Sequence, residues 1–354
     1  AIALNDCAAR SLLAGKDPYA TLDIFDCYDS LSIGPDRTTP LRRGAFADVA
    51  IYPNDDQLEG AWALREREGG NVEFVTRPSY PALSFLLLVP FVALGIDTNY
   101  LYVACLIAAM AVIAARASAS IRPFVLTALL GASCLAAFTV GGSADLLYAL
   151  PLVCAWMWRE RLGGAFAFGC AVAIKQIAWF IAPFYFIAVL TTSGWRAAVR
   201  HAAIAATIFV VTNGPFLVWH PADWFAGVLT PLVEPMFARG AGIVFLATHA
   251  GFPLLTPMAY FVLEATAMGV CLITAWRARR TSPEIGIAIA LIPLYFAWRS
   301  LFSYFFLIPL FAFAGLVRMP FGELTVQHAR DAGALTIFAM PAKLRALART
   351  ERAA

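Results

Sequence analysis

The chain has 354 residues, of which 61% are hydrophobic and only 14% are charged, and its mean hydropathy is +0.73. These values exclude an ordinary soluble globular protein and indicate a polytopic membrane protein. The net charge of +3 is uneven, because residues 1–80 contain 13 acidic and eight basic residues. A basic remainder is typical of cytoplasmic loops and gives no reason to expect a nucleic-acid partner.

The N-terminal segment, 1–98, begins with a pattern that predicts a short amphipathic helix over 5–19, ended at Gly15. Asp6, in its first turn, is either a helix cap or a carboxylate base at the membrane rim. Cys7 and Cys27 lie in this polar segment, whereas the other five cysteines lie in apolar runs. In an oxidising compartment the two can form a disulfide, and otherwise they are free thiols.

Residues 77–96 combine an arginine with a short apolar helix. Arg77 is either an interfacial side chain or a phosphate ligand, because the planar guanidinium suits phosphate oxygens. The stretch 81–96 is shorter than the roughly 20 residues that a spanning helix needs. It therefore either forms an additional crossing or lies in the membrane surface.

Eight further apolar runs are candidates for crossing a membrane. The run 163–190 is too long for one crossing and has Lys175 and Gln176 near its centre, so it predicts two short helices that meet there. The prediction is nine crossings, or ten if 81–96 also crosses. The runs are 99–115, 122–140, 144–158, 163–190, 197–219, 254–276, 284–298 and 300–317.

Arginine clusters orient these runs, because Lys and Arg near span ends mark the cytoplasmic side. All the clusters lie inside if 163–190 crosses twice and 81–96 does not cross. We therefore predict an extracytoplasmic region 1–98 with juxtamembrane helices, a transmembrane helical bundle 99–318 and a cytoplasmic tail 319–354. The outer face then carries 1–98, 140–144, 175–178, 219–253 and 298–300.

Lys175 is the most informative residue of the chain. An uncompensated cation in hydrocarbon costs at least ~2.5 kcal/mol, so Lys175 needs an anion or a wet cavity. Arg299 is as poorly placed for lipid and lies in a polar notch between two apolar runs. Two cations facing one interfacial cavity suit a doubly charged phosphate leaving group. Asp145, at the outer start of a span, is either a cap or a substrate ligand. The candidate substrate ligands are Asp145, Gln176, Tyr80, Ser300, Tyr304 and His249.

The motifs of several other enzyme classes do not occur in the sequence. It contains no HExxH, GxSxG or CxxC pattern and no phosphate-binding loop. Metalloprotease, serine hydrolase, redox and NTPase functions therefore have no support. We predict no metal site and no cofactor.

Taken together, these residues resemble the membrane-embedded glycosyltransferases of the GT-C superfamily, and among them the bacterial family 87 polyprenyl-phosphate-mannose-dependent mannosyltransferases. The similar pattern comprises Asp6 in a first outer loop, an A-x-x-L-L-x-G-x-x-P-Y stretch at 9–19, a Tyr-Pro pair at 80–81 and the Lys175-Gln176 turn. The resemblance implies a GT-C-like bundle, inversion at the anomeric carbon and a first transmembrane helix directly before Asp6. It also implies that Asp6 is the catalytic base and that Lys175, Arg299 and Arg77 bind the donor phosphate.

We therefore expect an all-α polytopic glycosyltransferase of a bacterial plasma membrane. It would move a sugar, with mannose favoured, from a polyprenyl-phosphate donor to a lipid or glycan acceptor at the extracytoplasmic face, in contact with membrane lipid. A secondary transporter or flippase for an anionic or lipid-linked substrate is the alternative, since the same cations would bind its cargo.

Overall fold

Helices make up most of the computed structural model, which describes residues 2–34, 37–69, 72–140 and 143–319. Residues Ala1–Val317 form one compact unit. Residues 320–354, nearly all of the predicted cytoplasmic tail, lie outside the described part of the chain.

The N-terminal segment folds into short helices that pack on one another. As predicted, α1 is followed by Gly15, whose φ of +75° suits glycine. Cys7 and Cys27 form a disulfide that joins α1 to α3, with Cα atoms 5.9 Å apart. The apolar stretch 81–96 forms only α5 and α6, which are far too short to cross a membrane. These helices are α1 Ile2–Leu13, α2 Pro18–Thr21, α3 Ile24–Ser30, α4 Asp55–Glu68, α5 Leu83–Leu86 and α6 Val89–Ala93.

The remaining helices build the apolar bundle. In its centre α10 packs against α7 and α11, and α11 packs against α13. The helices are α7 Asn99–Arg116, α8 Arg122–Gly131, α9 Ser133–Val140, α10 Leu146–Met157, α11 Leu162–Ile174, α12 Ile177–Ser193, α13 Trp195–Trp219, α14 Pro221–Val228, α15 Thr230–Val233, α16 Val244–His249, α17 Pro257–Ala278, α18 Ile285–Ile289, α19 Phe302–Phe305 and α20 Ile308–Leu316.

Several of these helices are suited to a membrane by length and composition. Within the described residues, α7, α13 and α17 are long and apolar enough to cross, and α8 with α9 makes a fourth crossing if this pair, bent by 49°, is one span. The helices α10, α11 and α12 are apolar but shorter. The protein is therefore membrane-embedded and mostly helical, while the predicted nine or ten crossings exceed the number of full-length apolar helices.

Contacts between loops sort into two groups, one at each end of the bundle. At one end, Gln176 donates hydrogen bonds to the carbonyl oxygens of Ser79 and Val228. The strands β1 Arg239–Gly240 and β2 Arg299–Ser300 pair at this end in parallel. We call it the outer end, after its predicted location, because it gathers the segments predicted to share the outer face.

The opposite end gathers the predicted cytoplasmic segments, and we call it the inner end. Arg159 and Glu284 form a buried ion pair there, with 2.5 Å between Nη2 and Oε1. The indole Nε1 of Trp156 also donates to Glu284, at 2.7 Å. The loop after α10 is thereby fixed to the loop after α17.

Candidate functional site

The helix break at Lys175 forms the centre of the candidate site. Helix α11 ends at Ile174, Lys175 has an extended backbone, and α12 begins at Ile177, which confirms the predicted break. The side-chain amide of Gln176 donates to Ser79 O at 2.6 Å and to Val228 O at 2.7 Å. These two hydrogen bonds from Gln176 therefore fix the helix break to the outer loops.

Lys175 forms an ion pair with Asp145, in which Nζ and Oδ1 are 2.5 Å apart. Both side chains are buried, with 6% and 1% exposure. Asp145 occupies the position before α10 but caps no backbone N–H with its side chain. Its second oxygen accepts from the Ser143 hydroxyl at 2.5 Å. The anion that Lys175 requires is thus the acid at the start of α10.

Aromatic rings surround this ion pair. The Lys175 ammonium lies 4.8 Å from the centroid of the Tyr80 ring and 6.0 Å from that of Tyr148. Tyr304 is within electrostatic range of Lys175, Asp145 and Tyr80. Tyrosine faces stabilise a cation, and their hydroxyls can hydrogen-bond a sugar or phosphate oxygen.

Arg299 lies beside these tyrosines, on β2. Its guanidinium is within electrostatic range of Tyr304, Tyr80 and Arg239. Among the described residues, its buried Nη1 atom has no hydrogen-bond partner and the Ser300 hydroxyl has none either. Lys175 and Arg299 therefore approach the same tyrosines, but only Lys175 is neutralised by an acid.

Asp6 lies near Tyr102. It sits within α1, where it accepts a hydrogen bond from Arg10 Nε at 2.6 Å. It is within electrostatic range of Tyr102, which in turn is within range of Tyr80. The side chain of the neighbouring Asn5 is buried and interacts with the Tyr102 hydroxyl. Asp6 and Tyr80 therefore both act electrostatically on Tyr102, and no contact that the structure describes joins Asp6 directly to Lys175 or Arg299.

Two predicted site residues have their contacts elsewhere. Arg77 forms an ion pair with Asp223 of α14, so its charge is already compensated. His249, at the end of α16, is exposed, stacks on Phe245 with 4.4 Å between ring centroids and hydrogen-bonds to Thr248. The contacts described for these residues do not bring them to Lys175, and their predicted ligand roles stay predictions.

Unsatisfied polar atoms concentrate around the cluster. A buried polar group without a partner costs ~1–3 kcal/mol, so native proteins keep few of them. In the described part of the chain, several of the atoms in this condition lie at the outer end: Ser84 Oγ, Tyr148 OH, Arg299 Nη1 and Ser300 Oγ. This concentration is the property expected of a site that binds a polar ligand.

Sequence reasoning missed Tyr148, Tyr102 and Arg239. The two tyrosines lie inside apolar runs, where a tyrosine is usually a core residue. Arg239 is a single arginine in a long outer loop. A weak signal existed for Tyr148, which follows Asp145 by almost one helical turn and so shares its side of α10.

The described residues contain no group of three or more His, Cys, Asp or Glu side chains that could hold a metal ion. The groups gathered at the outer end are instead cations, hydroxyls and carboxylates. They can bind an oxyanion and can accept a proton from a hydroxyl.

Comparison with known proteins gives no match, whether with family models, curated proteins or solved structures. Any function therefore has to be argued from the residues of the site.

Proposed function

We propose that the protein is an inverting glycosyltransferase that moves a sugar from a polyprenyl-phosphate donor to a lipid or glycan acceptor at the extracytoplasmic face of a bacterial plasma membrane. The observation that carries this proposal is the outer-end cluster. It combines the buried Lys175 and Asp145 pair, an Arg299 with an unpartnered guanidinium nitrogen, and the Asp6 carboxylate. Cations for a phosphate and an acid for a hydroxyl thus occur together beside a membrane.

The chemistry needs a single displacement. Asp6 would accept the proton of the acceptor hydroxyl, whose oxygen forms a bond to the anomeric carbon of the sugar. The bond from that carbon to the phosphate oxygen breaks, and the phosphate leaves with the electron pair. Arg299 and Lys175 would stabilise the charge that develops on this phosphate. Mannose is the favoured sugar, because the family that the sequence resembles uses it.

The proposed topology has nine crossings. They are α7, α8 with α9, α10, α11, α12, α13, α17, α18 with the 3₁₀ turn Ile292–Phe296, and α19 with α20. Segregation of the loop contacts into an outer and an inner group supports this arrangement. Short spans are tolerated where they are buried within protein, because the lipid then adjusts around the bundle and not around each helix.

A secondary transporter or flippase would need a path between the two ends. The interior along α10 favours the enzyme, because apolar side chains fill it between the outer and the inner ion pair. Leu147, Leu152 and Val153 are all almost completely buried there. A transport path would require polar groups at these positions.

The test is sugar transfer by the full chain in liposomes. Labelled polyprenyl-phosphate mannose is the donor, and an extract of membrane glycolipids supplies the acceptors. Asp6→Asn is expected to lower the rate constant about 100- to 10,000-fold, as expected for the loss of a general base. Asp55→Asn is the matched control, since Asp55 is an exposed acid on α4. The wild type could instead transfer no sugar from mannose, glucose or arabinose donors and move lipid-linked sugar across the liposome membrane. That result would refute the glycosyltransferase and support the flippase.

A further inference from the structure

The two strands at the outer end place two arginines side by side. Strands β1 and β2 pair in parallel, with Arg239 in register with Arg299. Residues opposite each other on neighbouring strands project from the same face, and like charges in that position repel. In the described residues neither arginine forms an ion pair. The protein therefore maintains a like-charge pair without a carboxylate to compensate it.

The backbone fixes this arrangement. Ala241 N donates to Ser300 O at 2.6 Å, and Arg239 N donates to Trp298 O at 3.3 Å. Gly240 has a φ of +140°, and a Cβ atom there would collide with the carbonyl of Ser300. Glycine is thus required for the close approach that brings the two arginines together.

The two guanidinium groups differ in depth. Arg239 is exposed and lies 3.8 Å over the centroid of the Tyr52 ring, which holds it in place at the surface. Arg299 lies deeper, with a buried nitrogen that lacks a hydrogen-bond partner in the described structure. Arg239 therefore faces water, and Arg299 lies between it and the groups Tyr304 and Lys175.

The two arginines differ from Lys175 in that their charges are not neutralised by a carboxylate in the described structure. The ammonium of Lys175 and the carboxylate of Asp145 neutralise each other at 2.5 Å. The surplus positive charge of the outer-end cluster thus resides on the two arginines. Planar guanidinium groups donate paired hydrogen bonds that match the oxygens of a phosphoryl group.

We propose that Arg239 and Arg299 together form a clamp that binds one phosphoryl group, and that Lys175 positions the site through Asp145 without being the main phosphate ligand. The proposal rests on the proposed function only where it identifies the phosphate as that of the polyprenyl donor. Lipid-linked phosphate and free inorganic phosphate share the required chemistry, and their binding can be measured separately.

The experiment measures binding of polyprenyl phosphate, polyprenol and inorganic phosphate to the full chain in lipid nanodiscs. Arg239→Gln and Arg299→Gln are each expected to weaken polyprenyl-phosphate binding about 10- to 100-fold, the effect of losing a hydrogen bond to a charged group. Polyprenol binding should not change. Arg67→Gln is the matched control, because Arg67 is an exposed arginine on α4.

The outcomes distinguish the two proposals. Weakened phosphate binding in the clamp variants without any sugar transfer by wild type would support the clamp and refute the glycosyltransferase. Transfer by wild type with unchanged phosphate affinity in both variants would refute the clamp and return the phosphate to Lys175. Tight binding of inorganic phosphate that polyprenyl phosphate does not displace would make the ligand free phosphate. Because Arg239 is exposed, Arg239→Gln tests the clamp even if the Arg299 variant does not fold.

Discussion

Asp145→Asn is expected to destabilise the protein strongly, because it leaves the Lys175 cation buried without its anion. At 2.5 Å and an effective dielectric constant of about 20, the attraction between the two charges is ~7 kcal/mol. Desolvation of the two ions offsets several kcal/mol of this attraction. Removing one partner of a buried pair is therefore expected to lower the free energy of unfolding by about 3–5 kcal/mol.

The assay is SDS-induced unfolding of the full chain in mixed micelles, followed by helical circular dichroism. Asp145→Asn and Lys175→Met should each show the loss, and the double variant should lose less than either, because it leaves no buried charge. The partly exposed pair Arg43 and Glu234, whose side chains are 47% and 24% exposed, provides the control, since pairs that solvent reaches contribute ~0–1 kcal/mol. Additive losses in the double variant, or single losses as small as that control, would refute the reasoning.

Three further predictions concern the rest of the fold. Cys7→Ser, which removes the disulfide to Cys27, is expected to lower the free energy of unfolding by about 3 kcal/mol, because the bond closes a loop between residues 20 positions apart. Glu284→Gln should lower it by about 3–5 kcal/mol in the same SDS titration, because the Arg159 guanidinium remains buried at the inner end. Gly240→Ala should weaken polyprenyl-phosphate binding and lower the melting temperature, because its Cβ would collide with the facing strand.

Each of these outcomes has a comparison. Reducing agent should reproduce the effect of Cys7→Ser in wild type and have no effect on the variant. Unchanged stability of Glu284→Gln would mean that solvent or Glu160, 3.6 Å from Arg159 Nε, compensates the guanidinium. Gly60→Ala, at a helical glycine of α4 with open space around it, should leave binding unchanged. Equal losses for both glycine variants would contradict the role of strand pairing.

The break at Lys175 could be predicted from the sequence because it depends on local properties. A largely apolar run of 28 residues, 163–190, is too long for one crossing, and its two strongly polar residues near the centre mark where the helix ends. The α1 helix also depended on a short-range pattern, whereas the sequence left open whether Cys7 and Cys27 form a disulfide or stay free thiols. Arg77 was singled out as either interfacial or a phosphate ligand, and its partner Asp223 lies 146 positions away along the chain.

The contacts that assemble the site could not be predicted in this way. Asp145 and Lys175 were both recognised as unusual, yet nothing in their spacing of 30 residues indicates that they pair. Gln176 binds two backbone carbonyl groups, and every residue has such a group, so no sequence signal marks the acceptors. Arg239 gained its importance only through strand register with Arg299.

The number of crossings was the least predictable property of the fold. Hydropathy measures how apolar a stretch is, whereas a crossing also needs a continuous helix. The run 284–298 is apolar after Glu284, but its helix α18 ends at Ile289, and a 3₁₀ turn containing Pro293 follows. Proline removes a backbone donor and interrupts helices, so apolar length overestimates helix length here.

Helix α10 has a consequence for the membrane around the protein. Its 12 residues give a length of ~18 Å, against ~30 Å for the hydrocarbon core of a bilayer. A buried ion pair lies just beyond each of its ends. The charged layers at the two ends are therefore closer together than the lipid headgroups of an undisturbed bilayer. Because α10 is buried in the centre of the bundle, the helices around it and not the lipids accommodate this short spacing. At least one charged layer therefore lies within the depth of the hydrocarbon core, and membrane thickness is expected to govern how far a lipid headgroup must sink to reach the outer cluster.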